Sequence, residues 1–299
     1  MTTNPAPRRY LMYGSSGWIG QKLLALLRAE GEHVDVGLAR LEDRAAVAAE
    51  VQAFQPTHVI NAAGVTGRPN VDWCETNQAE TIRANLVGCL NVADVCHVTS
   101  ASLSTAIHVT VLGSGCIFTY DDAHPMYSDK LFTEVDRGNF TGSFYAKTKG
   151  MLEELLRSYP DVCLLRFRMP LSDDLHPRSL LTKLLQYPKV INIPNSITVL
   201  HDLLPAVLVL AADRRTGVFN FTNPGVVSHN ELLDLYKAHV DPTYSYTNFG
   251  PEDEAALCRT RSNVALDVSK LQAALGPTRA IPHISEALRQ LFGRMAETQ

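Results

Sequence analysis

Tyr10-Leu11-Met12-Tyr13, then Gly14-Ser15-Ser16-Gly17-Trp18-Ile19-Gly20, then the amphipathic stretch Gln21 to Ala29: this is the segment from which the rest of the chain takes its meaning. A short apolar run predicts a strand, the glycines a tight turn, and the spaced apolar residues a helix. In that order they make a dinucleotide-binding βα unit, in which glycines let backbone N–H groups approach a pyrophosphate at the helix N-terminus. The spacing is GxxGxxG rather than GxGxxG, and its place directly after the first strand gives the motif its weight. Gly14, Ser16, Gly17, Trp18, Ile19 and Gly20 are the expected cofactor contacts.

Working outward, a second strand over about His33 to Ala39 ends at Arg40. An acidic residue there suits the ribose 2′-hydroxyl of NAD, an arginine the 2′-phosphate of NADP. Arg40 therefore favours NADPH, while Glu42 and Asp43 close by leave NADH open. Ala45 to Phe54 reads as a helix ended by Pro56, and His58 to Asn61 as the next strand. The small residues of Asn61-Ala62-Ala63-Gly64 let the chain pass close to a cofactor. Arg68 and Asn70 lie in a polar loop suited to a substrate mouth, with Arg68 the candidate for gripping sugar or phosphate; a surface salt bridge is the competing reading. Thr76 to Val98 is expected as one long helix containing Asn85.

Ile107 to Leu112 predicts a buried strand running into Gly113-Ser114-Gly115-Cys116-Ile117-Phe118. In extended backbone, residues two apart point the same way, so Ser114 and Cys116 are expected to share a face. Asp121 to Gly142 is a polar loop long enough to cap a site. The helix Ser143 to Tyr159 puts Tyr145 and Lys149, four apart, on one face. A tyrosine beside an ammonium can pass a proton to a carbonyl oxygen, and the Ser114 hydroxyl can orient that oxygen. A ketone also acidifies the C–H bonds on both neighbouring carbons. Inverting those carbons needs an acid and a base on opposite faces, and Cys116 with Lys183 are the candidates. Their bland alternatives are a filler in the strand corner and a solvated lysine.

Val162 to Met169 is a further strand broken by Pro170, with Met169 placed among the cofactor contacts. A helix near Ser179 to Gln186 carries Lys183, a strand is expected near Thr198, a helix over His201 to Asp213, and a last strand over Val218 to Thr222. Beyond Asn223 come short helices, Ser228 to Val240, Ser269 to Leu275 and Ser285 to Met295. The class is α/β, a doubly wound parallel sheet with a smaller, mostly helical C-terminal substrate lobe. Its expected boundaries are 9–169 with 198–222 for the cofactor domain, and 170–197 with 223–299 for the lobe.

The 299 residues are 45% hydrophobic and 19% charged, an ordinary globular profile, and a net charge of −4 gives no reason to expect nucleic acid or an anionic membrane as partner. Met1 to Arg9 is polar, with no apolar core of a signal peptide. The longest apolar run, Leu203 to Ala212, is too short for a bilayer span, so a cytoplasmic enzyme is expected. Six cysteines without a CxxC pair or Cys/His cluster argue against a disulfide framework or a metal site.

The stretches GSSGWIG (14–20), NAAGVTGRPNVDWCE (61–75), TIRANLVG (81–88), GCIF (115–118), GSFYAKTK (142–149), INIPNS (191–196) and FTNPGVVSHNELL (221–233) closely resemble the bifunctional nucleotide-rhamnose synthase/epimerase-reductase family, within the extended short-chain dehydrogenase/reductase superfamily. The resemblance runs from about Tyr10 to Ser269. It implies a Rossmann-type domain and conversion of UDP-4-keto-6-deoxy-D-glucose to UDP-L-rhamnose by 3,5-epimerisation and NADPH-dependent 4-reduction. Ser114, Tyr145 and Lys149 would then serve reduction, Cys116 and Lys183 epimerisation, and Asn85 a structural place in a proton relay. Ser143, Asn195, Ser196 and Arg261 would contact the nucleotide sugar. Ser114 departs mildly from plant members, where threonine is common. The resemblance further implies a homodimer and a separate 4,6-dehydratase supplying substrate. The alternatives are a single-function 4-keto-sugar reductase and a non-catalytic cofactor-binding regulatory subunit; the Asp-Glu pair typical of dehydratases is replaced by Gly115 and Cys116.

Overall fold

The computed structural model describes residues 7–103 and 106–297. The polar start of the chain, Met1 to Ala6, and the last two residues of the expected C-terminal lobe lie outside them. The expected βα unit forms as β1 (Arg9–Tyr13) and α1 (Trp18–Ala29). Trp18, Gly20, Leu23 and Leu27 are its buried positions, a one-sided stripe at helical spacing. β2 (His33–Val36) stops before Gly37, earlier than expected. α2 (Arg44–Phe54) begins at Asp43, whose carboxylate accepts the Ala46 N–H at 3.1 Å. It ends at Gln55, in the left-handed region with φ 50°, because Pro56 cannot continue the helix.

β3 (His58–Asn61) follows, buried at every position. The single helix expected from Thr76 is instead three pieces and a wide turn: α3 (Trp73–Thr76), α4 (Gln78–Ile82), a π-helical turn at Arg83–Val87, and α5 (Gly88–Leu103). A π turn inserts one residue into the helical ladder and rotates the side chains within it, which period-3.6 reading of the sequence cannot register. Next come β4 (His108–Ser114), α6 (Phe144–Leu156), β5 (Val162–Phe167), α7 (Leu180–Leu184), α8 (Leu200–Ala212) and β6 (Gly217–Phe221). The strand expected near Thr198 is only an isolated bridge between Leu171 and Val199. The C-terminal stretch forms α9 (His229–His239), α10 (Pro251–Cys258), α11 (Ser269–Leu275) and α12 (Ile284–Glu297), of which α10 was not expected. Its acidic first turn, Glu252, Asp253 and Glu254 after Pro251, is a helix-start signal without apolar periodicity behind it.

The strands join in the order β2-β1-β3-β4-β5-β6, with β1 parallel to β2 and β3, and β3 parallel to β4. Strand order reverses at β1, so the glycine turn leaves the sheet at the switch point where doubly wound folds take ligands. Two compact units result, with boundaries other than those expected. The first takes the chain through Gly113, with Thr148–Leu165 and Val207–Val218; the second is Ser114–Lys147, Arg166–Ala206 and Phe219 onward. The cluster Leu11, Val47, Val59, Val92, Val109, Leu152 and Leu164 makes the first unit's core. In the second unit, Leu181, Leu184, Leu232, Leu233 and Leu288 pack with Phe292. A capping box fixes the start of α9: Ser228 Oγ accepts the Glu231 N–H at 3.2 Å, and Glu231 accepts the Ser228 N–H at 2.7 Å.

Candidate active site

The first unit builds a glycine turn that approaches neighbouring backbone closely at both ends. Gly14 has φ 76°, and a Cβ on it would lie 2.4 Å from the Ala63 nitrogen; one on Gly20 would lie 2.0 Å from the Gly14 carbonyl oxygen. Both contacts are with backbone, which cannot yield, so only glycine fits. α1 opens at Gly17, which supplies no side-chain cap, and its first turn holds no acidic residue, so no carboxylate there competes for the positive end of the helix dipole. On the neighbouring strand end, Asn61 Oδ1 accepts the Ala63 N–H at 2.9 Å, while its buried Nδ2 has no partner among the described residues. Asn85, in the π turn, holds Val65 by both backbone groups. A Cβ on Gly64 would lie 3.0 Å from Asn85 Oδ1 and 3.7 Å from Lys149 Nζ, so Asn85, Gly64 and Lys149 meet at one point. Burial pushes the Lys149 ammonium below the usual lysine range, against the smaller opposite pull of Cys89 and Cys74.

Arg40 is exposed, its guanidinium 3.4 Å from Glu42. The Asp43 side chain is occupied as the α2 cap, and it is the Glu42 carboxylate that faces the Arg40 guanidinium. Arg68 is exposed and Asn70 half-buried, its Oδ1 accepting the Asp72 N–H at 2.8 Å.

The second unit begins at the strand corner. Ser114 and Cys116 do come together, but not through extended backbone. β4 stops at Ser114, and Ser114 Oγ accepts the Cys116 N–H at 3.1 Å, closing a serine turn. The next N–H, that of Gly115, donates to Phe167 O at 2.8 Å. Tyr145 is buried near the start of α6, and Ser143 caps that helix, its Oγ accepting the Ala146 N–H at 3.2 Å. Lys183, half-buried on α7, is pushed below the usual lysine range by burial and by Arg178, with the Cys116 sulfur pulling the other way. Lys183 and Cys116 are thus within electrostatic reach.

Four more residues expected at the site lie in the second unit. Asn195 and Ser196 are fully buried, their polar atoms committed to the fold: Asn195 Oδ1 accepts from Arg168 and from Val264 N–H, its Nδ2 donates to Asn263 at 2.9 Å, and Ser196 Oγ accepts the Leu266 N–H at 2.9 Å. Both side chains thus tie together segments of the second unit. Met169 turns its side chain to the second unit's apolar core, with its backbone in the left-handed region at φ 41°. Arg261, half-buried, donates to the Thr260 carbonyl at 3.1 Å.

One residue escaped the sequence reading. Arg168 is fully buried, and its Nη1 donates to Cys116 Sγ at 3.1 Å and to Ser262 Oγ at 3.1 Å. Its signal was there: two arginines two apart, Arg166 and Arg168, interrupt an otherwise apolar strand run, and both prove to be fully buried. Charges are almost never enclosed unless something holds them.

Residues 10–173 match the family model described as the NAD dependent epimerase/dehydratase family. The chain is 49% identical, over 88% of its length and 86% of the relative's, to the bifunctional dTDP-4-dehydrorhamnose 3,5-epimerase/dTDP-4-dehydrorhamnose reductase of Arabidopsis thaliana. It is equally 49% identical to a trifunctional UDP-glucose 4,6-dehydratase/UDP-4-keto-6-deoxy-D-glucose 3,5-epimerase/UDP-4-keto-L-rhamnose-reductase of that plant, but spans only 39% of that protein. The crystal structure of the L780 UDP-rhamnose synthase from Acanthamoeba polyphaga mimivirus superposes with a TM-score of 0.88 at 35% identity, over 97% of this chain and 100% of that one. The chain belongs to the NAD dependent epimerase/dehydratase family, in its branch of nucleotide-rhamnose epimerase-reductases.

Proposed function

We propose that this protein converts UDP-4-keto-6-deoxy-D-glucose to UDP-L-rhamnose, exchanging the protons at C3 and C5 and then reducing the C4 ketone, with NADPH preferred over NADH. The observation that carries the reading is the strand corner itself. A reductase needs the Ser114 hydroxyl; it has no use for a partly exposed thiol two residues on, held at the corner by its backbone N–H on Ser114 Oγ, with a lysine of lowered proton affinity in its field.

The glycine cradle fits a dinucleotide. Its turn excludes a Cβ at Gly14 and at Gly20, and the α1 N-terminus, with no side-chain cap at Gly17, offers N–H groups to a pyrophosphate. The exposed Arg40 guanidinium suits a 2′-phosphate. When bound, the reduced nicotinamide supplies the hydride that C4 receives. The chain's own part is proton handling. Ser114 donates a hydrogen bond to the C4 oxygen and orients it, and Tyr145 gives that oxygen its proton. Lys149, on the same helix, provides positive charge, while Asn85 pins the loop beside it.

In epimerisation, one of Cys116 and Lys183 takes the proton from the carbon next to the ketone. The C–H electron pair moves into an enolate, and the other residue forms the new C–H bond on the opposite face. The ketone returns with that carbon inverted. Arg68 and Asn70, and in the second unit Ser143 and Arg261, are the proposed surroundings of the nucleotide sugar.

A second copy of the chain is the proposed partner. Ile82, Val87 and Val98, together with Met151 and Leu155 on α6, are exposed apolar residues on the helical segments 82–98 and 144–156. The substrate comes from a 4,6-dehydratase, an activity that the name of the trifunctional relative includes. All six cysteines are free, as suits the cytoplasm. Among the described residues no helix is long and apolar enough to cross a membrane.

The test is proton NMR of the product formed from UDP-4-keto-6-deoxy-D-glucose and NADPH in D2O. Deuterium at C3 and C5 of an L-rhamno product is expected. A reduced sugar carrying no deuterium at either carbon rules the epimerase half out.

A further inference from the structure

We infer that Arg168 is a positioning residue for epimerisation: its enclosed guanidinium aims the Cys116 sulfur and balances the negative charge that sulfur carries during proton exchange. The inference rests on the reading of Cys116 as one half of the epimerising pair and adds the group that makes a lone thiol serviceable there.

Arg168 has no exposed surface, and four of its hydrogen bonds run to neutral groups: the Asn195 side-chain oxygen, the Ser262 carbonyl at 2.6 Å, Ser262 Oγ at 3.1 Å and the Cys116 sulfur at 3.1 Å. Its Nε has no partner among the described residues, and no carboxylate of those residues pairs with it. Enclosing a cation without a counter-ion is strongly unfavourable, because the charge loses its hydration. A fold normally avoids that cost or answers it with a carboxylate. Of the groups that its side chain hydrogen-bonds among the described residues, Cys116 is the one able to become an anion.

The surroundings fix the guanidinium rather than let it wander. Ser262 Oγ is itself anchored to the Phe118 carbonyl at 2.5 Å, and Asn195 is held through Asn263. The backbone is clamped on the far side: the Arg168 N–H donates to Thr198 Oγ1 at 3.0 Å, and the Thr198 N–H returns a bond to the Arg168 carbonyl at 2.8 Å. Directly after it, Met169 is held at φ 41° although it has a side chain and precedes Pro170, a conformation kept only where the neighbourhood over-determines it. The adjacent Arg166 makes the contrast clear. Its bonds to Thr133 O, Asp136 O and the Asn220 side chain brace a loop instead.

The proton bookkeeping gives this cation its use. When the C–H bond breaks toward sulfur, an S–H forms from a thiolate; when sulfur delivers the proton, a thiolate is left. In both directions sulfur is anionic on one side of the step, and an N–H donor fixed 3.1 Å away stabilises that side. Lys183, half-buried, carries the complementary proton, and its field reaches the same sulfur.

The experiment measures, for the full-length parent and for Arg168→Met and Arg168→Lys, the rate of deuterium incorporation at C3 and C5 and the rate of reduction of pre-epimerised UDP-4-keto-L-rhamnose. Losing a charge-assisted hydrogen bond predicts that the exchange-to-reduction ratio falls about tenfold or more in Arg168→Met, with partial recovery in Arg168→Lys. Iodoacetamide labelling of Cys116 should slow in the same order. Because Arg168→Met risks misfolding, Ser262→Ala, which removes one anchor and keeps the cation, serves as the second variant and should lower the ratio by a smaller factor. An unchanged ratio in folded Arg168→Met, or equal losses of exchange and reduction across all three variants, overturns the inference. If the parent exchanges no deuterium, it is the epimerase reading that has failed; if the parent exchanges and Arg168→Met matches it, only the role of Arg168 has.

Discussion

Asn85 grips Val65 by both ends of its peptide: its Oδ1 accepts the Val65 N–H at 2.8 Å, and its Nδ2 donates to the Val65 carbonyl at 2.8 Å. The π turn supplies the rotation that lets one side chain do both, and the result fixes the strand-end segment Ala62 to Val65 beside Lys149. Asn85→Ala leaves a buried N–H and a carbonyl unanswered. A loss of about 1–3 kcal/mol in unfolding free energy is expected, together with weaker NADPH binding. Denaturant titration and fluorescence titration of the cofactor check the two; full stability in the variant would contradict the bracing role.

Cys116→Ala should separate the two activities. Deuterium incorporation at C3 and C5 is expected to drop by about a hundredfold or more, the scale of a lost acid-base group, with reduction of pre-epimerised substrate affected much less. NMR and NADPH absorbance read the two rates side by side. A variant that still makes UDP-L-rhamnose from the unepimerised ketone at the parental rate removes the thiol from the mechanism.

Arg40 should set cofactor preference. With its side chain exposed and Glu42 3.4 Å away, it is available to a phosphate. Arg40→Ala is expected to raise KM for NADPH about tenfold, from the loss of a charge-assisted contact, while KM for NADH changes little. Equal effects on both cofactors would place the 2′-phosphate elsewhere.

Acid should weaken the fold through enclosed histidines. Burial first, then the positive charge of Arg214, pushes His58 down to about 3, and burial with Arg168 pushes His229 down to about 4. Both lie below the unfolded value of about 6.5, so the unfolded chain binds protons more readily. Their contribution to stability is complete above about pH 6.5 and is lost as pH falls toward those depressed values, by up to about 1.4 kcal/mol per pH unit for each histidine. Unfolding free energies at pH 7 and pH 5 should therefore differ, and His58→Gln should flatten the slope. An unaltered slope in that variant would mean that His58 is not among the titrating groups.

The exposed apolar positions on α6 should report on assembly. Met151→Lys with Leu155→Lys puts two charges, one helical turn apart, where a second copy would pack. Light scattering is expected to show the mass halved relative to the parent, with the melting temperature little changed. A parent that already scatters as a monomer ends the dimer proposal.

Local chemistry was readable along the chain. The Gly14 to Gly20 turn and the four-residue spacing of Tyr145 and Lys149 depend on residues within a few positions of one another, where sterics and helical period act directly. The same locality misled at the strand corner, since Ser114 and Cys116 meet through a side-chain turn that a two-residue period does not describe. Arg168 lies 52 positions from Cys116 and 94 from Ser262, and nothing near Asn195 in sequence shows that its side chain is enclosed. Which cation faces which sulfur follows from how strands and loops distant in the chain are packed, and no periodicity carries that information. Residues on one turn declare themselves in the order of letters; partners across the fold exist only once the core has closed around them.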